Sequence, residues 1–181
     1  PKLGLAFDIA PCNQVLNYIA QQIGQEYDHN GNLSQGGQVI DDLFKQLSAL
    51  NYVALEPPKS LDNSYTKEVL ELLEKFSLES LNDTLFTYIH FLATETARWI
   101  EFGNLQRIMV TGGGTYNATL FNSIYQAGQC EVIRPEHLVV EGKEALCIAW
   151  MGLSRYLETV NAKAKYTGAR KDTINGAIIL P

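Results

Sequence analysis

The run Arg107-Ile108-Met109-Val110-Thr111-Gly112-Gly113-Gly114-Thr115-Tyr116-Asn117 carries the chain from strand-forming into turn-forming sequence. Ile108, Met109 and Val110 are apolar and of strand type, three glycines follow, and from Ala118 to Ala127 the apolar residues Leu120, Phe121, Ile124 and Tyr125 recur at helical spacing. The pattern predicts a strand, a tight turn and a helix. Glycine tolerates positive φ and has no Cβ, so a ligand can approach the backbone, and the unpaired amides at a helix start carry partial positive charge. Gly112, Gly113 and Gly114 are therefore candidates for holding an anion or a nucleotide. The same sequence also suits a β-α connection that needs glycine only for close packing.

Composition narrows the partners. The chain has 181 residues, 46% hydrophobic and 19% charged, as expected of one globular domain long enough to bury a full core. Its net charge of -6 argues against nucleic acid and against a membrane surface, since both present negative charge. A small-molecule ligand fits better. Cys12, Cys130 and Cys147 are odd in number and far apart, with neither disulfide-framework nor zinc spacing, and no metal site is expected. With no apolar run long enough for a membrane helix and no signal peptide, the expected location is the cytoplasm. The opening Pro1-Lys2-Leu3-Gly4-Leu5-Ala6-Phe7 lacks an initiator Met and reads as a strand with nothing ahead of it to pair with, so the chain is expected to be part of a longer protein.

That strand, Leu3 to Phe7, ends in Asp8 ahead of the Pro-containing turn Ile9-Ala10-Pro11-Cys12-Asn13 and a helix expected from Asn13 to Gly24. An acid at the carboxyl end of a strand is a candidate general base or metal ligand, or else it caps the following turn. Tyr27 to Gly37 reads as a polar surface loop with a solvated His29. A helix is expected from Val39 to Leu50, then an extended Leu55 to Ser60 stiffened by Pro57 and Pro58, whose Lys59 either reaches a phosphate or is solvated. A short helix from Lys67 to Phe76 precedes a long one capped by Asn82-Asp83-Thr84 and closed by Gly103-Asn104, with His90 at the core or its rim. Cys130 to Ile133 reads as a second strand. From Lys143 to Thr159 almost no polar face remains, which predicts a buried helix with Glu144 in its first turn. The tail from Ala162 to Lys171 is locally basic, and Gly176 to Leu180 is a candidate last strand or extended segment.

Gly112-x-Gly114 after a strand, with Glu131 on the next, imitates a dinucleotide-binding turn. Asn117 stands where the third glycine belongs, and too few βαβ units follow, so an NAD-dependent oxidoreductase is a poorer reading.

Taken in order, Phe7-Asp8-Ile9-Ala10-Pro11-Cys12-Asn13, Tyr27-Asp28 with Gly31, Pro58-Lys59-Ser60, Val110 to Gly114 with Asn117, Lys143-Glu144-Ala145-Leu146 and Thr167-Gly168-Ala169-Arg170 resemble the carboxyl half of the anhydro-N-acetylmuramic acid kinases. The resemblance spans nearly the whole chain. It implies an α/β, helix-rich RNase H-like domain with a mixed sheet, one lobe of the two-lobe actin-like ATPase fold shared with hexokinases. The amino-terminal lobe is then outside residues 1–181. It also implies hydrolytic opening of 1,6-anhydro-N-acetylmuramic acid and its phosphorylation by Mg2+ and ATP to N-acetylmuramic acid 6-phosphate, in a homodimer. On this resemblance Asp8 is the catalytic base, Gly112, Gly113, Gly114 and Asn117 bind the nucleotide, and Asn13 and Glu144 contact the sugar. Ile9, Ala10 and Cys12 replace the small flexible residues common in the family's turn, and Asp62-Asn63-Ser64 replaces its usual Gly-x-Glu. A domain of the same fold that has lost catalysis is the alternative.

Overall fold

The structure is a computed structural model and describes residues 4–77 and 80–179. Its elements in order are α1 (Asn13–Gln21), α2 (Asp41–Ser48), α3 (Asn51–Ala54), α4 (Asn63–Ser77), α5 (Leu81–Gly103), β1 (Arg107–Met109), α6 (Ala118–Gly128), β2 (Glu131–Ile133), α7 (His137–Tyr156) and α8 (Ala164–Thr167). Helix α5 is the axis. Leu85, Tyr88, Ile89, Phe91, Leu92 and Ala93 are all buried on it, at three- and four-residue steps that cover more than one side, and α1, α2, α4 and α6 pack around it. The fully buried Leu43, Leu47, Leu73 and Leu85 each contribute on the order of 1.5–3 kcal/mol by leaving water. Tyr88 brings a hydroxyl into this core and donates it to the Pro11 carbonyl at 2.5 Å, so the burial of α5 also fixes the turn that leads into α1.

Helix α5 starts at least two residues earlier than Asn82-Asp83-Thr84 suggests. Ser80 is its N-cap, with extended backbone and its Oγ accepting from the Asp83 amide, while Asp83 turns outward to accept the Gln38 amide at 2.8 Å. Asn104, in the left-handed conformation, closes the helix as expected. The chain then enters β1, crosses by α6 and returns as β2, parallel to β1 with Ile108 opposite Val132. Ile108, Val110 and Val132 are partly buried against the helical core.

Several expectations are corrected. The described residues form a two-stranded parallel sheet rather than a mixed one. Within the expected first strand Leu3 lies outside the described residues, and 4–9 are in neither helix nor sheet, because among the described residues no strand stands beside them to complete a ladder. Of the two readings of Gly176 to Leu180 the strand is not formed: Leu180 lies outside the described residues, and 174–179 form no element, following a single bridge from Thr173 to Ala162. Lys59 is neither solvated nor free for a phosphate. It is buried, donates from Nζ to the Tyr52 carbonyl at 3.0 Å and lies over the Tyr52 ring, and burial lowers its pKa.

Helix α7 departs most. It begins at His137 rather than Lys143, which places Glu144 in its interior, so the first-turn role expected of that carboxylate does not hold. Val140 and Ser154 are its buried residues, whereas Leu146 is 71% exposed, Ile148 69% and Trp150 53%. An all-round apolar composition shows that a helix is suited to burial but not where its cover lies, and among the described residues nothing covers the stripe of Val139, Leu146, Trp150 and Leu153. Replacing Leu73, fully buried, by Ala is expected to lower unfolding stability by about 2–5 kcal/mol, while Leu146→Ala changes it by less than about 0.5 kcal/mol. Urea titration of both variants checks this, and comparable losses would show that α7 is packed.

Candidate functional site

The glycine turn does three different jobs. Gly112 has φ 87° and ψ 171°, a region essentially reserved for glycine, and a side chain there costs on the order of 1–3 kcal/mol. Gly114 is required by proximity, since a Cβ there would lie 2.8 Å from Asn13 Oδ1. Gly113 is exposed and has space, since a Cβ on it would come no nearer than 3.5 Å to its closest neighbour, Asn13 Nδ2. A single 3-10 turn, Gly113–Tyr116, then leads to Asn117, which caps α6 by accepting the Leu120 amide at 2.9 Å.

Asn117 is also tied from the other side. Its Nδ2 donates to Asp28 Oδ2 at 3.2 Å, so both ends of the amide are engaged and its side chain positions the turn. Asp28 is 4% exposed. Its Oδ1 accepts the Leu33 amide at 2.7 Å, and Oδ2 accepts both the amide and the hydroxyl of Ser34. A buried carboxylate is tolerable only with such a full set of donors. The expected solvated loop is thus an ordered strap over the start of α6. Gly31 brings it close enough that a Cβ would lie 2.6 Å from Asn117 Oδ1, and its carbonyl accepts the Thr119 hydroxyl at 3.0 Å. His29 stays exposed and stacks on Tyr27.

Between strap and turn lies a cavity of about 450 Å³, lined by Asn13, Tyr27, His29, Gly113, Tyr116 and Glu141 among others. Rings from two segments and amide groups from α1 converge there, the mixture of apolar surface and a few placed polar groups common to small-molecule pockets. Burial and a hydrogen bond to Glu141 both raise the pKa of Tyr116, so its phenol stays protonated as a donor. A second cavity of about 310 Å³ lies on the other side of the turn, against Ile9, Ala10, Cys12 and Asn13. Burial pushes the Cys12 thiol up to about 11, which makes it a packing group rather than a nucleophile.

Of the residues singled out in the sequence, Asn13, Gly113 and Gly114 line both cavities, Asn117 lines the first and Gly112 lines the second. Asp8 opens the 8–13 turn that forms one wall, but lines neither cavity. Its Oδ2 accepts the Leu61 amide at 2.8 Å and the Ser60 hydroxyl at 3.2 Å, and the Tyr52 hydroxyl holds its backbone carbonyl. Among the described residues Oδ1 has no hydrogen-bond partner. This carboxylate is aimed by one oxygen and open at the other. Glu144 is exposed on α7 and lines neither cavity; Glu141, one turn earlier, is the carboxylate that does. Asp28 entered the sequence reading only within the Tyr27-Asp28 segment, without a role, and Glu141 was missed. An Asp three residues before a Gly in a polar loop was the available signal for the first, and an earlier α7 start would have been needed for the second. Among the described residues no three His, Cys, Asp or Glu come together as a metal cage, and no helix is long and apolar enough to cross a membrane.

A strand, a glycine turn with one obligatory positive φ, and a capped helix beneath a polar and aromatic cavity define an α/β protein with a cavity of small-molecule size at the turn. The chain belongs to the anhydro-N-acetylmuramic acid kinase family, whose family model matches residues 2–181. It is 27% identical to a Bacillus cereus (strain G9842) protein named anhydro-N-acetylmuramic acid kinase, over 98% of this chain and 50% of that protein. Like-named proteins of Bacillus cereus (strain ATCC 10987 / NRS 248) and Bacillus thuringiensis subsp. konkukian (strain 97-27) are 26% and 25% identical over the same shares. The chain spans about half the length of these curated relatives.

The Asp28–Asn117 link generates a double-mutant test. Asp28→Ala and Asn117→Ala should each destabilise by about 1–3 kcal/mol, and the double variant should lose less than the sum by at least about 0.5 kcal/mol. Chemical unfolding of the four proteins measures the coupling, and strict additivity would mean the two residues act apart.

Proposed function

We propose that this chain is the carboxyl-terminal, nucleotide-contacting part of an ATP-dependent sugar kinase that opens 1,6-anhydro-N-acetylmuramic acid and phosphorylates it to N-acetylmuramic acid 6-phosphate. Family membership supports the kinase class, and the names of the relatives support the sugar. The observation that carries the reading is Asp8: a carboxylate held by Leu61 and Ser60 through one oxygen, with the other unengaged among the described residues, on the same turn that packs Asn13 against Gly113 and Gly114.

On this reading Asp8 Oδ1 takes a proton from water as its oxygen bonds to the anomeric carbon. The bridging bond from that carbon to O6 breaks, and the freed O6 attacks the γ-phosphorus of ATP, releasing ADP. Gly113 lets the nucleotide approach the backbone, and Asn13 orients a ligand from the α1 side. Mg2+ when bound neutralises phosphate oxygens, and it needs only one or two carboxylates beside them, which suits a chain with isolated acids at the turn. The actin-like, RNase H-like architecture and the homodimer belong to the same proposal, as does an amino-terminal lobe that closes over the phosphates; the relatives, twice as long, have the length for one.

Asp8→Asn in the protein as encoded should lower kcat by about 10²–10⁴ while leaving ADP affinity within about twofold, because an amide cannot accept the proton from water. A coupled ADP-release assay with the anhydro-sugar, alongside calorimetric ADP titration, measures both. Turnover above about a tenth of the parent's would make Asp8 a turn-capping residue.

A further inference from the structure

A third cavity, of about 630 Å³, separates the 4–9 segment from β1 and is lined mainly by apolar groups. Leu5, Phe7 and Ile9 line it while Ala6 and Asp8 do not, the every-second-residue pattern of an extended backbone. Ile108, Met109 and Val110 line the other side. Both walls offer unpaired backbone. Among the described residues the main-chain groups of Leu5, Ala6, Phe7 and Ile9 make no hydrogen bond, and β1 pairs with β2 along one edge only. Because Val110 gives its amide to Ile133 at 2.9 Å, the Met109 amide points to the opposite edge, towards the cleft. Two side-chain groups on the walls are also buried without partners among the described residues, the Trp99 indole N–H and the Thr111 hydroxyl.

We infer that this cleft receives an extended, uncharged, apolar polypeptide segment that pairs with the free edge of β1, supplied in cis by the part of a longer protein lying outside the half that matches the relatives. A compact apolar ligand would fill the volume but leave both edges unpaired. A strand fills it, pairs the Met109 amide at the free edge, and supplies the acceptor that the buried Trp99 indole lacks, since an unmet buried donor is costly. Among the described residues no charged one lines the cleft, so the segment carries none inward. A two-stranded sheet is marginal by itself, and added strands would make it a stable floor for α5 and α6. The source follows from length: the matched relatives carry about as much chain again, whereas this chain is aligned over 98% of itself.

Amide hydrogen exchange tests the inference with no nucleotide or sugar present, so its outcome is independent of the kinase reading. Residues 1–181 are compared with the protein at the length its gene encodes. In residues 1–181 the Met109 amide should exchange much faster than that of Val110; in the gene-length protein it should slow by about 10²-fold or more. The Trp99 indole proton should slow with it. Equal exchange in the two proteins would overturn the inference. Met109 protection that appears in residues 1–181 alone and grows with protein concentration would also overturn it, by assigning the cleft to a second copy.

Discussion

The buried carboxylate of Asp28 is the constraint on which the site depends. A charge at 4% exposure must have its lone pairs met, and the donors available are the amides of Leu33 and Ser34, the Ser34 hydroxyl and the Asn117 amide. Meeting them folds residues 28–34 into a compact strap and binds that strap to the N-cap of α6. The same Asn117 that completes Asp28 also starts the helix, so the end of the glycine turn cannot shift without breaking one contact or the other. The cavity between strap and turn is the space this arrangement leaves, with Tyr27 and His29 arriving on the strap and Tyr116 on the turn that Asp28 ties together, and the amides arriving on α1.

The two apolar surfaces have a common origin. Helix α7 exposes Leu146, Trp150 and Leu153, and the 4–9 segment and β1 face each other across an apolar cleft. By contrast the α1, α2, α4 and α5 faces meet in a dense core with Leu43, Leu47, Leu73 and Leu85 fully buried. Helical contacts close locally, from neighbouring segments of chain, whereas a sheet requires partners that sequence distance does not supply. The α1, α2, α4 and α5 core is therefore self-sufficient among the described residues, and the sheet and helix α7 are not.

Much of this was legible in the sequence. Residues 107–128 read directly as strand, turn and helix, because apolar period and glycine run change together there, and Gly103-Asn104 marked the end of α5 correctly. Which glycine was conformationally required was not legible: three identical residues hide that only Gly112 has positive φ and that Gly114 answers to Asn13. Asp28 was hidden for a similar reason, since a polar loop that solvates its acid and one that buries it have the same composition. Lys59 escaped sequence reasoning because a lysine after two prolines gives no sign of the Tyr52 carbonyl and ring that hold it. Helix α7 differs from its expectation because apolar content predicts burial without naming the cover.

The claim most open to test is that the glycine turn, and not another cavity, is where nucleotide binds. An amide proton–nitrogen NMR titration of the chain with ADP addresses it residue by residue. Binding at the turn predicts the largest shifts at Gly112, Gly113, Gly114 and Tyr116, with smaller ones at Asn13 and Glu141. Unchanged turn amides at saturating ADP, or shifts confined to residues 4–9 and β1, would contradict it.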